Sequence, residues 1–96
     1  MRPSVALGIH REAILAITLR HRVVNLRVFG SVVHGDDIDG SDLDLLVDPT
    51  QDTTLFDIGA IRYELKELLG VAVDVLTPKA LPENFRDSVL EEAQPV

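Results

Sequence analysis

This sequence predicts an α/β domain, a small sheet flanked by helices, and three observations predict it. Segments of helical and of strand periodicity alternate along the chain, the pattern of a sheet covered by helices. The hydrophobic fraction is 46% with only three Phe and one Tyr, so the core is aliphatic, the usual material of a small α/β protein. Ninety-six residues enclose one modest core, which makes residues 1–96 a single domain with no room for a separate substrate-binding module.

The elements follow in order. After a short loose leader, Ile9, Ala13, Ala16 and Ile17 recur at helical spacing and predict a first helix over His10 to His21. Val23 to Phe29 predicts a strand with Val24, Leu26 and Val28 on one face and Arg27 on the other. Gly30-Ser31 ends that strand, Val32 to His34 forms a short helical turn stopped at Gly35, and Asp36 to Gly40 is a polar loop. Leu43 to Val47 is a second strand, closed by Asp48-Pro49 because proline cannot donate to a ladder. Thr54 and Asp57 have capping-box spacing, and Ile58, Ile61, Leu65 and Leu68 share one face of the helix that follows, up to Gly70. Val71 to Leu76 is a third strand broken by Thr77-Pro78, and Pro82 fits the first turn of a closing helix through about Glu92. Periodicity alone leaves open whether the sheet is parallel or mixed.

Charge and composition exclude several functions. The net charge of −7 argues against direct nucleic-acid binding, which needs clustered Lys and Arg to displace counterions. Eight of the sixteen acidic residues lie between Asp36 and Asp57, while Val28 to Ile61 holds no Lys or Arg; whatever neutralises those carboxylates comes from outside the segment. With no cysteine, disulfides, zinc–thiolate sites and thiol nucleophiles are ruled out. Met1 to Gly8 has no continuous apolar stretch, and no apolar run approaches the ~20 residues of a membrane span. A cytoplasmic protein with no membrane partner is therefore expected. His10 and His21 read as surface residues of the first helix.

Three features coincide to suggest chemistry: Gly30-Ser31 at the end of one strand, Asp42-Leu43-Asp44 opening the next, and Asp74 within the third. Asp42 and Asp44 lie two residues apart on a strand, so they face the same way at roughly 6.6 Å along the backbone. Their repulsion is on the order of 2–3 kcal/mol at an effective dielectric near 20. A divalent cation is a natural compensator, and all-oxygen ligands favour Mg²⁺ or Mn²⁺ over zinc. Alone, an Asp-X-Asp is more often a solvated strand end. Asp74, between Val73 and Val75, shifts that balance, because an acid in an aliphatic strand is expensive unless paired or metal-bound. Gly30-Ser31, by itself usually a plain turn, offers close backbone approach and N–H donors to an anion.

Gly30-Ser31, ten residues, then Asp42-X-Asp44, with Val28-Phe29 before and Leu45-Leu46-Val47 after, resembles the G-S-X10-D-X-D signature of the DNA polymerase β-like nucleotidyltransferases. Asp74 matches that superfamily's third carboxylate, and the chain's brevity is similar to its minimal nucleotidyltransferases. The resemblance implies a mixed sheet. It also implies that Asp42, Asp44 and Asp74 hold two Mg²⁺ ions and that Gly30, Ser31, His34 and Gly35 contact the phosphates of ATP, with Asp74 also accepting a proton from an attacking hydroxyl. One departure is visible: members often carry arginine where this chain has His34, which reads equally as a protonated phosphate contact or an exposed turn histidine. Small members of this kind resemble MntA-type antitoxins of HEPN ribonuclease toxins, some of which they neutralise by adenylylating a tyrosine. The resemblance thus implies a HEPN toxin as partner. Apolar residues left exposed on the first or last helix would serve a homodimer or a heteromeric complex equally well. A steric antitoxin without catalysis and a transferase acting on a small-molecule hydroxyl are the competing readings.

Overall fold

A computed structural model describes residues 1–96. The helices are α1 (Pro3–Ile9), α2 (Arg11–Arg20), α3 (Ser31–His34), α4 (Leu55–Leu69) and α5 (Glu83–Glu92). The strands are β1 (Val23–Phe29), β2 (Leu43–Pro49), β3 (Val73–Leu76) and β4 (Gln94–Pro95), and a 3₁₀ turn spans Pro78–Ala80. Strand order is β3-β2-β1-β4, with β2 and β3 parallel and β1 antiparallel to both its neighbours. The sheet is thus mixed and flanked by helices, as expected.

Alternation sorts the strands into two faces. Leu26 and Val28 of β1, Leu43, Leu45 and Val47 of β2, and Val73 and Val75 of β3 enter the main core together with Ala6, Leu7, Ile14, Ile61, Leu65 and Leu69 from the helices. The opposite face carries Phe29, Asp44 and Asp74 in one row and Arg27, Leu46 and Leu76 in the next. Leu46 and Leu81 are buried outside the main core cluster, where the 3₁₀ turn packs on β2.

Several expectations are corrected. The leader is helical: Pro3 pre-sets the first turn of α1, and Ala6 and Leu7 are buried. In α2 the buried residues are Ile14 and Thr18; of the expected stripe Ile9–Ala13–Ala16–Ile17, Ile17 packs partly against the core and Ala13 is half-buried, while Ala16 is exposed and Ile9, also exposed, belongs to the preceding helix, which ends at the His10 break. Val24 is exposed because β1 bulges: between the paired positions Val24–Asp48 and Arg27–Leu46 there are two residues on β1, Asn25 and Leu26, against one on β2, and Asn25 takes φ +56°. That one-residue slip returns Leu26 to the core face and moves Val24 off it. β2 continues through Asp48 and Pro49, which pair with Val24 and Val23; proline is tolerated as its last residue. Leu69, not Leu68, completes the inner face of α4. The two-residue β4, pairing with Arg27 and Val28, carries no apolar alternation that would announce it. The capping box Thr54/Asp57 and the left-handed stop at Gly70 (φ +68°) form as expected.

Candidate active site

The site is built from adjacent ends of three strands. Asp44 stands directly opposite Asp74 across the parallel β2–β3 ladder and opposite Phe29 across the antiparallel β1–β2 ladder. Directly paired residues lie roughly 4.5–5.5 Å apart at Cβ, so the topology brings the two carboxylates together, as the sequence leads one to expect. Asp42, exposed just before β2, projects to the same side as Asp44. Burial, reinforced by the neighbouring Asp74 and Asp42 charges and by a hydrogen bond with Asp74, pushes the Asp44 carboxyl up to about 6. That is a carboxyl raised first by its burial and further by two like charges beside it.

Gly30 closes the other side. Its backbone turns at φ +76°, ψ −145°, and a Cβ there would lie 2.2 Å from Asp44 Oδ2. Glycine is demanded both by the turn and by the carboxylate packed against it. From there the chain enters α3: the His34 N–H donates to the Gly30 carbonyl at 3.1 Å, and Gly35 ends the turn in the left-handed region at φ +76°. Ser31, half-buried, opens this turn beside Asp44's row.

His34 is exposed and does not stand free. Its Nε2 lies 2.8 Å from Glu92 Oε2 at the end of α5. An incoming phosphate would compete with that carboxylate for the imidazole. Sequence reading missed Glu92, since fifty-eight residues separate the pair and no local pattern joins them.

The acidic loop leading to Asp42 is neutralised from outside its own segment, as expected, and the source is the N-terminus. Asp37 is buried and accepts a 2.9 Å hydrogen bond from the Ser4 backbone N–H in the first turn of α1, which holds its carboxyl below the usual range. The N-terminal ammonium lies 2.7 Å from Asp39 and does the same there. The loop bearing Asp42 is thereby pinned to α1. His21, expected at the surface, is instead largely enclosed between Glu64 and Asp57, bonding the former and lying 3.9 Å from the latter. His10 contributes to no ion pair.

No three His, Asp or Glu side chains are set closely enough to form a complete metal cage. Mg²⁺ does not need one, being commonly held by one or two carboxylates together with substrate phosphates and water. Clustered carboxylates whose charge raises Asp44's proton affinity fit such an ion. The two surface concavities lie elsewhere, along Gly8–Ala13 and along Leu15–Leu26, so the acidic row sits on an open shelf of the sheet.

Residues 10–96 match the family model described as a nucleotidyltransferase domain. The chain belongs to the nucleotidyltransferase family. It is 36% identical over 83 residues, 86% of this chain and 89% of the relative, to a candidate protein adenylyltransferase of Methanocaldococcus jannaschii. A solved structure of a candidate minimal nucleotidyltransferase superposes with a TM-score of 0.85 at 42% identity, covering 97% of this chain and 95% of the other. A toxin–antitoxin crystal structure with AMP-PNP shares the fold, with a TM-score of 0.68 at 18% identity over 88% of this chain and 70% of that one. The small mixed sheet with its flanking helices is therefore the minimal nucleotidyltransferase fold.

Proposed function

We propose that this nucleotidyltransferase is an antitoxin that transfers AMP from ATP to a hydroxyl, that of a tyrosine, on a HEPN ribonuclease toxin, in the cytoplasm. The observation that carries the reading is the row Gly30–Asp44–Asp74: a glycine turn packed on one carboxylate that is paired in register with another. The adenylyltransferase relative and the toxin–antitoxin neighbour support the choice of reaction and partner.

Asp42, Asp44 and Asp74 would hold Mg²⁺, two ions in this reading. Bound there, the metal supplies positive charge to the nucleotide's phosphates and relieves the repulsion among the carboxylates. The Gly30 backbone and the Ser31 hydroxyl anchor the β- and γ-phosphates. Gly35 lets the chain leave the turn without a Cβ, and His34 reaches phosphate only by leaving Glu92. Asp74 takes the proton from the acceptor hydroxyl as its oxygen attacks the α-phosphorus in line; the bond to the bridging oxygen breaks and pyrophosphate departs.

An open shelf with no enclosing pocket cannot select a small acceptor well. A partner that presents its own hydroxyl fits this architecture better than a free metabolite does, and the acidic surface suits a basic, RNA-cleaving partner. The His34–Glu92 tie favours one second reading, a steric antitoxin of the same fold that binds its toxin without transfer.

Transfer of label from α-³²P-ATP with Mg²⁺ to the product of the adjacent gene tests the proposal. Label that disappears in Asp42→Ala/Asp44→Ala is expected. A stable complex that blocks the neighbour's ribonuclease activity without any label would leave the steric reading in its place.

A further inference from the structure

Helix α4 carries two apolar faces, and only one is used. Ile58, Ile61, Leu65 and Leu69 pack inward. On the far side, Phe56, Gly59, Ala60 and Tyr63 recur at i, i+3, i+4 and i+7, the spacing of a helix-packing stripe. Phe56 is 89% exposed and Tyr63 65%, with Leu55 beside them at 88%. Gly59 has no internal reason to be glycine: its φ is not positive, and nothing lies within 4 Å of where a Cβ would stand. A mid-helix glycine costs roughly 0.5–1 kcal/mol relative to alanine, and this one leaves a notch between two aromatic rings.

We propose that this face of α4 binds a second copy of the chain as an antiparallel, two-fold helix pair crossing at Gly59 and Ala60. The order aromatic–small–small–aromatic reads the same in both directions, which is the self-complementarity an isologous interface requires. With the two-fold axis between Gly59 and Ala60, Phe56 of each copy meets Tyr63 of the other, while the small residues let the backbones approach. At the ends of the stripe exposed Lys66 and Glu67 of one copy meet exposed Asp52 of the other, one attraction and one repulsion, so charge neither drives nor opposes the pairing. Six large side chains from two copies remove about 1,000 Å² from water, the lower end for a specific interface. The acidic row lies on the opposite face of the sheet from α4, so both sites stay open to acceptor. This dimer does not depend on the reaction assigned above.

Sedimentation of the full chain between about 1 and 100 µM tests it. The wild type is expected to sediment as a dimer at the upper concentrations. Gly59→Arg is expected to weaken association at least tenfold without lowering the melting temperature of the monomer, because the position opens on solvent. Since the chain has no cysteine, Ala60→Cys gives a single thiol at the axis that a short bismaleimide should link into dimers, whereas Ala16→Cys on α2 should not link. A chain that stays monomeric throughout, including one that buries this face only against another protein, overturns the proposal. So does a dimer indifferent to Gly59→Arg.

Discussion

Gly30 carries two constraints at once, a backbone at φ +76°, ψ −145° and a carboxylate oxygen in the space of its missing side chain. Gly30→Ala is expected to lose about 1–3 kcal/mol from backbone strain, seen as a lower urea midpoint. Transfer should fall on the order of 100-fold or more, because relief of the contact moves Asp44 away from Asp74. The pattern Gly-Ser was visible in the sequence, but its reason was only half visible: close approach was expected from a phosphate, and the structure adds Asp44. Asp44→Asn should separate stability from activity. With chelator at pH 7 the amide removes a crowded charge and stabilises the fold by about 1–2 kcal/mol, allowing for solvent that still reaches the carboxyl; near pH 4, where the native carboxyl is protonated, the gain should vanish. Transfer is expected to be lost at both pH values. Loss of stability at pH 7 would show that Asp44 is not crowded as described.

Among the elements, α4 was the most legible, because caps and periodicity are local. Thr54 accepts from the Asp57 N–H and Asp57 accepts from the Thr54 N–H. Thr54→Ala should cost about 1 kcal/mol, a fall of roughly 4–8 °C in melting temperature for a domain of this size, with transfer unchanged at temperatures where the variant is folded. A fall under 1 °C would mean that the box forms equally in the unfolded chain. Strand β1 was less legible than α4. Its aliphatic run predicts a strand, but the bulge at Asn25, held by the Asn25–Asp48 hydrogen bond, changes which residues face the core, and strict alternation has no means of announcing an inserted residue. Helix α1 escaped notice because its apolar face is just Ala6 and Leu7 with Pro3, too short a stretch to show periodicity.

For the molecule as a whole, stability should depend on pH from two opposed sources. The folded Asp44 carboxyl, at about 6 against an ordinary 3.8, holds its proton more tightly than in the unfolded chain. Its contribution is full below 3.8 and is lost as pH rises through about 6. Asp37, Asp39, Asp57 and Glu64 are held below their ordinary 3.8 and 4.5; their contributions are present above those values and are lost as pH falls beneath them. In chelator, stability should therefore peak near pH 4 to 4.5, between the ordinary values of the two sets, and fall from there to about pH 6. Mg²⁺ should flatten the neutral side by relieving Asp44. Urea midpoints measured across pH with and without Mg²⁺ check both statements, and a chelator maximum at pH 7 or above would contradict the crowding.

The sequence by itself determined the fold class, most element positions and the motif joining Gly30-Ser31 to Asp42-X-Asp44, because periodicity, caps and that spacing are properties of neighbours along the chain. Only the tertiary structure decided which distant groups meet: Asp44 against Asp74 through strand register, His34 against Glu92, Asp37 under the first turn of α1, and His21 between Glu64 and Asp57. Those contacts depend on how strands pair and helices pack, and a carboxylate thirty or more residues from its partner leaves no mark on the local pattern of either.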